Sequence, residues 1–263
     1  MNKKKVAVIG SGISGLSASL FLSKKFDVHL FEKNSKLGGH TRTINFFHNN
    51  QKLAIDTGFI VFNERNYPDL ISLFRYLNVL IEDSNMSFSF SSNNPNIEYG
   101  GSNINTLFSQ RKNIFSLKFI LLIYEIINFY KKSKKIIEKR YSEHLTIEEF
   151  LISNSFSELI RKVHIYPMIS SIWSTNEKDV KNFPFIAFVK FFNNHGLFDL
   201  KNRPQWKFVS KGSYNYVDKL MKKKLFKHSL NYKLKTVLRK DQKIYLIDDN
   251  NNQKKFDKVI FAT

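Results

Sequence analysis

The sequence predicts an α/β fold of two domains, and the observations that carry this prediction lie close to the start of the chain. Residues 6–9 form a short apolar run with three β-branched members, typical of a strand buried on both faces. Residues 13–25 repeat apolar side chains about once per helical turn, and residues 26–31 read as a second strand. The resulting βαβ unit indicates a Rossmann-like domain.

Three glycines follow the first strand at the spacing G-x-G-x-x-G, and an acid ends the second strand. Gly10 suits the tight strand-to-helix turn, Gly12 lets a pyrophosphate approach the backbone, and Gly15 lets the helix pack against the strand. Glu32 is placed to accept hydrogen bonds from a ribose hydroxyl. The unit therefore predicts a dinucleotide site. A glycine-rich turn without a ligand would leave Glu32 as an ordinary strand-end acid.

Composition limits the other classes of function. The chain of 263 residues and 31.0 kDa contains no cysteine, which excludes disulfides, thiolate metal sites and cysteine nucleophiles and fits a cytoplasmic enzyme. The formal net charge is +20, but the lysines are spread along the chain, as a general compositional bias would produce. With no recognisable nucleic-acid-binding motif, we expect no nucleic-acid partner.

A second glycine pair follows Glu32 in the segment KNSKLGGHTRT, residues 33–43. The glycine motif, the acid and this Gly-Gly pair together resemble the FAD-binding N-terminus of the flavin amine oxidase and phytoene desaturase superfamily. Over nearly its whole length the chain also resembles a bacterial subgroup of NAD/FAD-binding amine-oxidase-like proteins. The segments that carry this resemblance are GGHTRT, DTGFIVFN, YP, RPQW and FFNNHGL.

The resemblance implies FAD as the cofactor, with the Gly-Gly loop beside its pyrophosphate. In the superfamily Arg or Lys usually follows the two glycines, whereas this chain has His40 there and an arginine at 42, so either could contact phosphate. A late strand ending in Ala262 and Thr263 would approach the cofactor, and the region of Val237 would lie near the adenine. The predicted cofactor-binding residues are Gly10, Ser11, Gly12, Ile13, Ser14, Gly15, Glu32, Lys33, Gly38, Gly39, His40, Arg42, Thr43, Gly58, Phe59 and Val237.

Asp56 lies in the segment LAIDTGFIVFN, residues 53–63, and has two interpretations of equal weight. In the superfamily, an acid followed by glycine here leads the chain past the flavin ring into the substrate domain. Alternatively, Asp56 caps a turn.

The remaining pattern predicts a Rossmann-like FAD-binding domain formed by residues 1–65 and 203–263, with a mainly helical α+β substrate domain, residues 66–202, inserted between them. Helices are predicted over 67–80, from a capping box at Thr146 and Glu149, and over 213–222. A hairpin is predicted within 85–101, and strands at 206–209, 234–237, 244–247 and 259–261.

The most apolar segment, residues 114–130, is flanked by basic residues on both sides. It is too short for a membrane span and is interrupted by Lys118 and Glu125, so an amphipathic helix is predicted. A helix of the substrate domain with a solvated basic end is favoured over one that lies on an anionic bilayer, which leaves peripheral membrane contact as the alternative.

Two further groups of polar residues are candidates for the substrate cavity. His164 and Trp173 are each favoured as packed core residues rather than as groups that face the flavin. The segment FFNNHG, residues 191–196, carries two asparagines and His195, for which a loop cap is favoured over a pocket lining.

The resemblance implies hydride removal from an amine or from an apolar, acyl or isoprenoid-like substrate to the flavin, and the Phe-rich cap segments favour the apolar class. The cofactor carries this chemistry, so no catalytic residue is assigned, and no metal site is indicated. The superfamily has a further substantial C-terminal segment with residues that approach the flavin, so the sequence is expected to be a fragment or a truncated product. The alternatives are a NAD(P)-dependent dehydrogenase and a dinucleotide-binding protein without catalysis.

Overall fold

A computed structural model describes residues 3–138, 144–199 and 202–263. It divides into two compact units, one formed by Met1–Ser84 and Trp206–Thr263 and the other by Asn85–Gln205. The first unit thus extends beyond the predicted boundary at residue 65. The reason is that Ile71 and Phe74 share a buried core with the first strand and the first helix.

The secondary structure elements are as follows. The strands are β1 (Lys5–Ile9), β2 (Asp27–Phe31), β3 (Thr43–His48), β4 (Gln51–Asp56), β5 (Phe62–Asn63), β6 (Ile81–Ser84), β7 (Ser89–Asn93), β8 (Asn96–Gly100), β9 (Trp206–Val209), β10 (Lys227–Ser229), β11 (Leu234–Lys240), β12 (Lys243–Asp248), β13 (Gln253–Phe256) and β14 (Lys258–Phe261). The helices are α1 (Ile13–Leu22), α2 (Pro68–Tyr76), α3 (Ile104–Leu107), α4 (Leu117–Glu138), α5 (Ile147–Ser153), α6 (Glu158–Ile160), α7 (Tyr166–Trp173), α8 (Glu177–Lys181), α9 (Phe185–Asn194) and α10 (Tyr214–Lys222), with a 3-10 helix at Arg111–Phe115 and a π-helix at Arg161–Ile165.

A four-stranded parallel sheet in the order β10-β2-β1-β14 is the centre of the first unit. Side chains of β1 alternate between two cores, because successive residues of a strand point to opposite faces. Val6 and Val8 pack with helices α1, α2 and α10, whereas Ala7 and Ile9 pack with the antiparallel sheet β11-β12-β13. The predicted Rossmann-like α/β fold is confirmed.

The other strands of the first unit form smaller sheets. β3 and β4 form an antiparallel hairpin, and β9 lies between β5 and β6 in a three-stranded antiparallel sheet. The pairing of β6 with β9 is a second reason why residues up to Ser84 belong to this unit.

The second unit is mainly helical, as predicted, and its core is rich in phenylalanine. The ring of Phe129 on α4 lies 5.9 Å from that of Phe188, and Phe150 stacks on Phe185 at 3.8 Å. The capping box predicted at the start of α5 is present: Thr146 Oγ1 accepts a hydrogen bond from Glu149 N–H, and the Glu149 carboxylate accepts one from Thr146 N–H.

His164 is fully enclosed in this core. Tyr99 donates its hydroxyl proton to the Val163 carbonyl at 3.0 Å and pairs with His164 Nδ1 at 2.8 Å, so Nδ1 is assigned as the donor of that pair and Nε2 accepts from Tyr130 at 3.0 Å. Burial lowers the pKa of His164 to about 3, and the ring is neutral. His164 is therefore a hydrogen-bonded core residue, the interpretation that its sequence context favours.

His195 follows the last residue of α9. Its Nδ1 lies 2.8 Å from the Phe191 carbonyl, and its ring stacks on the Phe191 ring at 4.0 Å. These contacts support the interpretation of this segment as the end of a helix.

Candidate dinucleotide-binding site

The glycine turn between β1 and α1 is shaped partly by packing within the chain. Gly10 has φ +98°, and a Cβ there would lie 2.4 Å from the Ala262 carbonyl oxygen. A Cβ at Gly15 would lie 1.8 Å from the Gly10 carbonyl oxygen. Both glycines are therefore required by the fold itself, whether or not a ligand binds.

Gly12 differs from its two neighbours because no atom lies within 4 Å of the place that its Cβ would take. It is the N-cap of α1, no side chain caps the helix there, and no acid lies in the first turn. The N–H groups of this helix end are therefore available to an anion, and the helix dipole adds a partial positive charge. Open space in front of unpaired donors is what a diphosphate requires.

Glu32 directly follows β2, lies beside this turn and is 6% exposed. Its Oε2 accepts hydrogen bonds from Ser11 N–H at 2.9 Å and from the Ser11 hydroxyl at 2.5 Å, and its Oε1 accepts one from Asn34 N–H at 2.9 Å. Burial by itself raises the pKa of Glu32, but the hydrogen bonds from Ser11 and Asn34 outweigh it and hold the pKa below its ordinary value. The carboxylate is therefore charged at neutral pH and held in a fixed orientation.

The second glycine pair packs directly on the first turn. Gly38 N–H donates to the Ser11 carbonyl at 2.9 Å, and a Cβ on Gly39 would lie 2.9 Å from Gly12 Cα. Two glycine loops that are separated in the sequence thus pack directly against each other.

A cavity of about 850 Å³ lies over these two loops, which is within the range of small-molecule sites. It brings together seven of the predicted residues: Gly10, Ser11, Gly12, Glu32, Lys33, Gly39 and His40. The remaining lining residues are Ile9, Phe31, Asn34, Tyr232, Lys233, Leu234, Asp249, Phe261, Ala262 and Thr263. The predicted approach of Ala262 and Thr263 agrees with this arrangement.

Other predicted residues support the loops without lining the cavity. Phe59 N–H donates to the His40 carbonyl at 3.1 Å, and a Cβ on Gly58 would lie 2.1 Å from the same oxygen. Gly15 and Gly38 also pack behind the turn, whereas Ile13 and Ser14 line a neighbouring cavity of about 540 Å³ beside α2. Arg42 is exposed and is not among the lining residues, so His40 is the one of the two basic candidates that the structure brings to the cavity.

Asp56 acts as a cap. Its carboxylate accepts hydrogen bonds from Ser213 N–H at 2.8 Å, from the Ser213 hydroxyl at 2.8 Å and from Thr43 Oγ1 at 2.5 Å. Since Ser213 is the N-cap of α10, Asp56 and Thr43 together hold the start of that helix. The hydrogen bonds from Ser213 support the capping interpretation of Asp56.

That the region of Val237 lies near the adenine stays a prediction. Val237 is partly buried against the core that contains Ala7 and Ile9 and does not line the cavity, which Leu234 does instead. A strand advances about 3.3 Å per residue, so three residues carry Val237 about 10 Å along β11 from the edge of the site.

Tyr232, Lys233 and Asp249 are cavity residues that sequence reasoning missed. They come from the approach to β11 and from the turn after β12, where no motif marks them. The Tyr232 hydroxyl is buried and has no hydrogen-bond partner among the described residues. Those residues also contain no cluster of three His, Cys, Asp or Glu side chains suited to a metal ion.

Comparison with known proteins gives one family and a set of solved structures. The profile of the NAD(P)-binding Rossmann-like domain matches residues 8–77. Among curated proteins, none matches this chain by sequence. The structure superposes on cyclohexylamine oxidase from Brevibacterium oxydans IH-35A with a TM-score of 0.72 at 15% identity, covering 99% of this chain and 58% of that one.

Two other solved structures are similar. Putrescine oxidase with bound putrescine matches with a TM-score of 0.66 at 18% identity, covering 99% of this chain and 58% of that one. A CLA-producing fatty acid isomerase from P. acnes matches with a TM-score of 0.60 at 12% identity, covering 99% and 59%. The chain has the amine-oxidase fold.

The fold that the glycine motifs, Glu32 and the Gly-Gly pair indicate is therefore confirmed. The chain spans 58% of the length of both oxidases, so the comparison covers only part of each enzyme. Oxidases and an isomerase share the amine-oxidase fold, and the fold alone therefore does not fix the reaction.

Proposed function

We propose that this chain contains the FAD site of a flavin-dependent oxidoreductase of the amine oxidase type. The observation that carries the proposal is the meeting of two glycine loops and one charged acid at a single cavity. Gly12 leaves open space beside free N–H groups, Gly39 packs on it, and Glu32 is held in place by Ser11. A nucleotide with a diphosphate and a ribose fits this donor and acceptor set.

Different residues of the chain would bind different parts of the nucleotide. The α1 N-terminus and the backbone of the glycine turn would hold the diphosphate, and Glu32 would hold the ribose that carries the adenine. Leu234 would pack against the adenine, since it is an apolar residue at the cavity beside Tyr232. The unpartnered Tyr232 hydroxyl is a further candidate hydrogen-bonding group at this end.

A bound flavin would supply hydride-acceptor chemistry, while the protein would position the substrate and exclude water. The proposed substrate class is an amine or an apolar molecule with acyl or isoprenoid-like character. An amine is supported by the fold shared with two amine oxidases. An apolar substrate is supported by the phenylalanine-rich second unit and by the fatty acid isomerase that shares the fold.

A nicotinamide dinucleotide is the second candidate ligand. The matching family is described as NAD(P)-binding, and the glycine turn with Glu32 suits the adenosine half of either cofactor. The Gly38–Gly39 loop favours FAD, since the resemblance assigns this loop to the pyrophosphate of FAD and it lines the same cavity as the first turn.

Identification of the bound nucleotide tests the proposal directly. Freshly purified protein is denatured, and the released nucleotide is identified by chromatography and absorbance. We expect FAD. Release of NAD would establish the second candidate, and failure of the apoprotein to bind FAD, NAD or adenosine diphosphate would overturn both.

Glu32→Ala provides the residue-level test. Loss of the charged hydrogen bonds to ribose is expected to weaken FAD binding by about 1–3 kcal/mol, measured by fluorescence titration of the apoprotein. Glu98→Ala is the matched control, because Glu98 is an exposed acid on β8 of the other unit and should leave FAD affinity unchanged. Equal FAD affinity of the Glu32→Ala variant and the parent protein would mean that Glu32 does not bind the ribose.

A further inference from the structure

An exposed row of large apolar side chains runs along the start of the second unit's longest helix. It comprises Ile114, Phe115, Leu117, Ile120, Leu121 and Tyr124, here called the apolar stripe. Phe115 is 90% exposed, Leu117 81% and Leu121 62%. Side chains of this size are seldom grouped on the surface of a protein without a partner, because each loses free energy in contact with water.

The geometry of α4 explains why the stripe is continuous. Leu117, Leu121 and Tyr124 are separated by four and three residues, so they follow one face of the helix. Phe119 and Leu122 lie on the opposite face and are buried in the core of the unit. The helix is therefore apolar on two sides at its start, and only one side has a partner within the described residues.

Basic residues surround the apolar stripe. Arg111 and Lys112 precede it, Lys118 lies within it, and Lys131 and Lys135 continue the same helix face after Tyr124. Lys112 and Lys118 both line a cavity of about 300 Å³ beside Phe119, so the two residues lie at the same end of the helix. An apolar stripe flanked by cations at both ends suits an anionic bilayer surface, because apolar side chains enter the acyl boundary while cations contact the lipid phosphates.

Acidic groups are scarce in the same segment. Glu125 is the one acid between Arg111 and Lys135, and its carboxylate is occupied by hydrogen bonds from Ser157 N–H at 2.8 Å and from the Ser157 hydroxyl at 2.5 Å. Lys134 pairs with Asp199, whereas no acid pairs with Lys112, Lys118, Lys131 or Lys135 among residues 3–138, 144–199 and 202–263. These cations are left to an external anion.

We propose that the apolar stripe and its flanking lysines form a docking surface for an anionic lipid bilayer. The stripe lies in the interfacial layer with the axis of α4 along the membrane plane, while the lysines contact lipid phosphates. No described helix is long and apolar enough to span a bilayer. The proposal is independent of the identity of the nucleotide, because the stripe lies in the second unit and the dinucleotide site in the first.

Vesicle co-sedimentation tests the proposal. Purified protein is mixed with vesicles of phosphatidylcholine alone and with vesicles that also contain phosphatidylglycerol. We expect binding to the anionic vesicles, weaker binding to the neutral ones, and release from the anionic vesicles as salt is raised. Absence of binding to phosphatidylglycerol vesicles at moderate salt would overturn the proposal.

Two variants and a matched control separate the apolar and charged contributions. Leu117→Ser combined with Leu121→Ser should lower the partition coefficient at least about tenfold, since two exposed leucines no longer enter the interface. Lys131→Gln combined with Lys135→Gln should weaken binding to anionic vesicles and leave binding to neutral vesicles unchanged. Phe47→Ser is the control, because Phe47 is 71% exposed but lies on β3 of the other unit.

The outcome also distinguishes the bilayer from other occupants of the stripe. All variants alter exposed side chains, so circular dichroism and the melting temperature should match those of the parent protein. If the double leucine variant binds vesicles as the parent does, the stripe is not the docking surface. If that variant instead dissociates an oligomer in the absence of lipid, the stripe is a contact between two copies of this chain and the proposal fails.

Discussion

Gly10, Gly12 and Gly15 belong to one motif, but an added methyl group would meet different surroundings at each of them. At Gly10 and Gly15 the methyl group would overlap with a backbone carbonyl oxygen, whereas at Gly12 it would point into open space. Gly12 also has φ −64°, a value that any residue adopts. The first and third glycines are thus explained by packing, and the second is explained by what binds there.

Alanine substitutions should separate these two roles. Gly15→Ala is expected to destabilise the protein by about 2 kcal/mol or more, because a buried backbone contact must open. Gly12→Ala should change the free energy of unfolding by less than about 1 kcal/mol but weaken nucleotide binding severely. Urea unfolding and nucleotide titration of both variants measure the difference, and unchanged nucleotide affinity of the Gly12→Ala variant would contradict the assigned role.

At the scale of elements, local pattern predicts the first βαβ unit well. Val6–Ile9 and the repeat of Leu16 and Leu20 fall in β1 and α1 as expected, because one stretch of sequence determines each element. Val237 shows the limit of this reasoning. It lies in a strand, as predicted, but the position along β11 that meets the cavity depends on where the strand begins in space.

Helix α4 shows a second limit. Its apolar residues occupy nearly all sides, so periodicity predicts a helix without indicating which side is packed. The structure assigns Phe119, Leu122 and Phe129 to the core and leaves Leu121 and Tyr124 exposed. Which side of α4 is buried therefore depends on the elements that pack against it, and the sequence of the helix alone does not indicate this.

Helix α10 depends on a cap that is remote in sequence. Ser213 makes no side-chain capping bond of its own, and Asp56 at the end of β4 accepts the Ser213 N–H instead. Asp56→Ala is expected to lower the free energy of unfolding by about 1–2 kcal/mol, the usual cost of a lost N-cap. The measurement is urea denaturation.

Asp69→Ala serves as the control for this prediction. Asp69 is also an acid in the first turn of a helix, α2, but it is exposed, and no side-chain hydrogen bond caps the start of α2 within the described residues. We expect it to change stability by less than about 0.5 kcal/mol. Similar losses for the two variants would show that Asp56 acts through general charge rather than as a cap.

At the scale of the whole molecule, the candidate site collects residues from both ends of the first unit. Gly12, Glu32 and His40 come from its first segment, whereas Tyr232, Lys233 and Asp249 come from its last. The first group carries a motif because phosphate contact restricts backbone conformation. The second group carries none, since a side chain that lines a cavity at a loop is compatible with many residue types.

The two tryptophans of the chain give each unit its own fluorescent reporter. Trp206 lies on β9 of the first unit and Trp173 on α7 of the second. Nucleotide at about 100 times its dissociation constant should stabilise the unit that binds it by about 2.7 kcal/mol. We therefore expect the unfolding midpoint of the Trp173→Phe variant, which reports Trp206, to rise more than that of the Trp206→Phe variant. Equal rises would show that the two units unfold together.

The place of β14 beside β1 bears on how the protein is made. A ribosome delivers Ala262, whose carbonyl occupies the space above Gly10, roughly 250 residues after the glycine turn. At ordinary translation rates the interval is on the order of tens of seconds. Throughout that time one edge of β1 has no partner strand, so the nascent polypeptide carries an apolar strand edge that can pair wrongly.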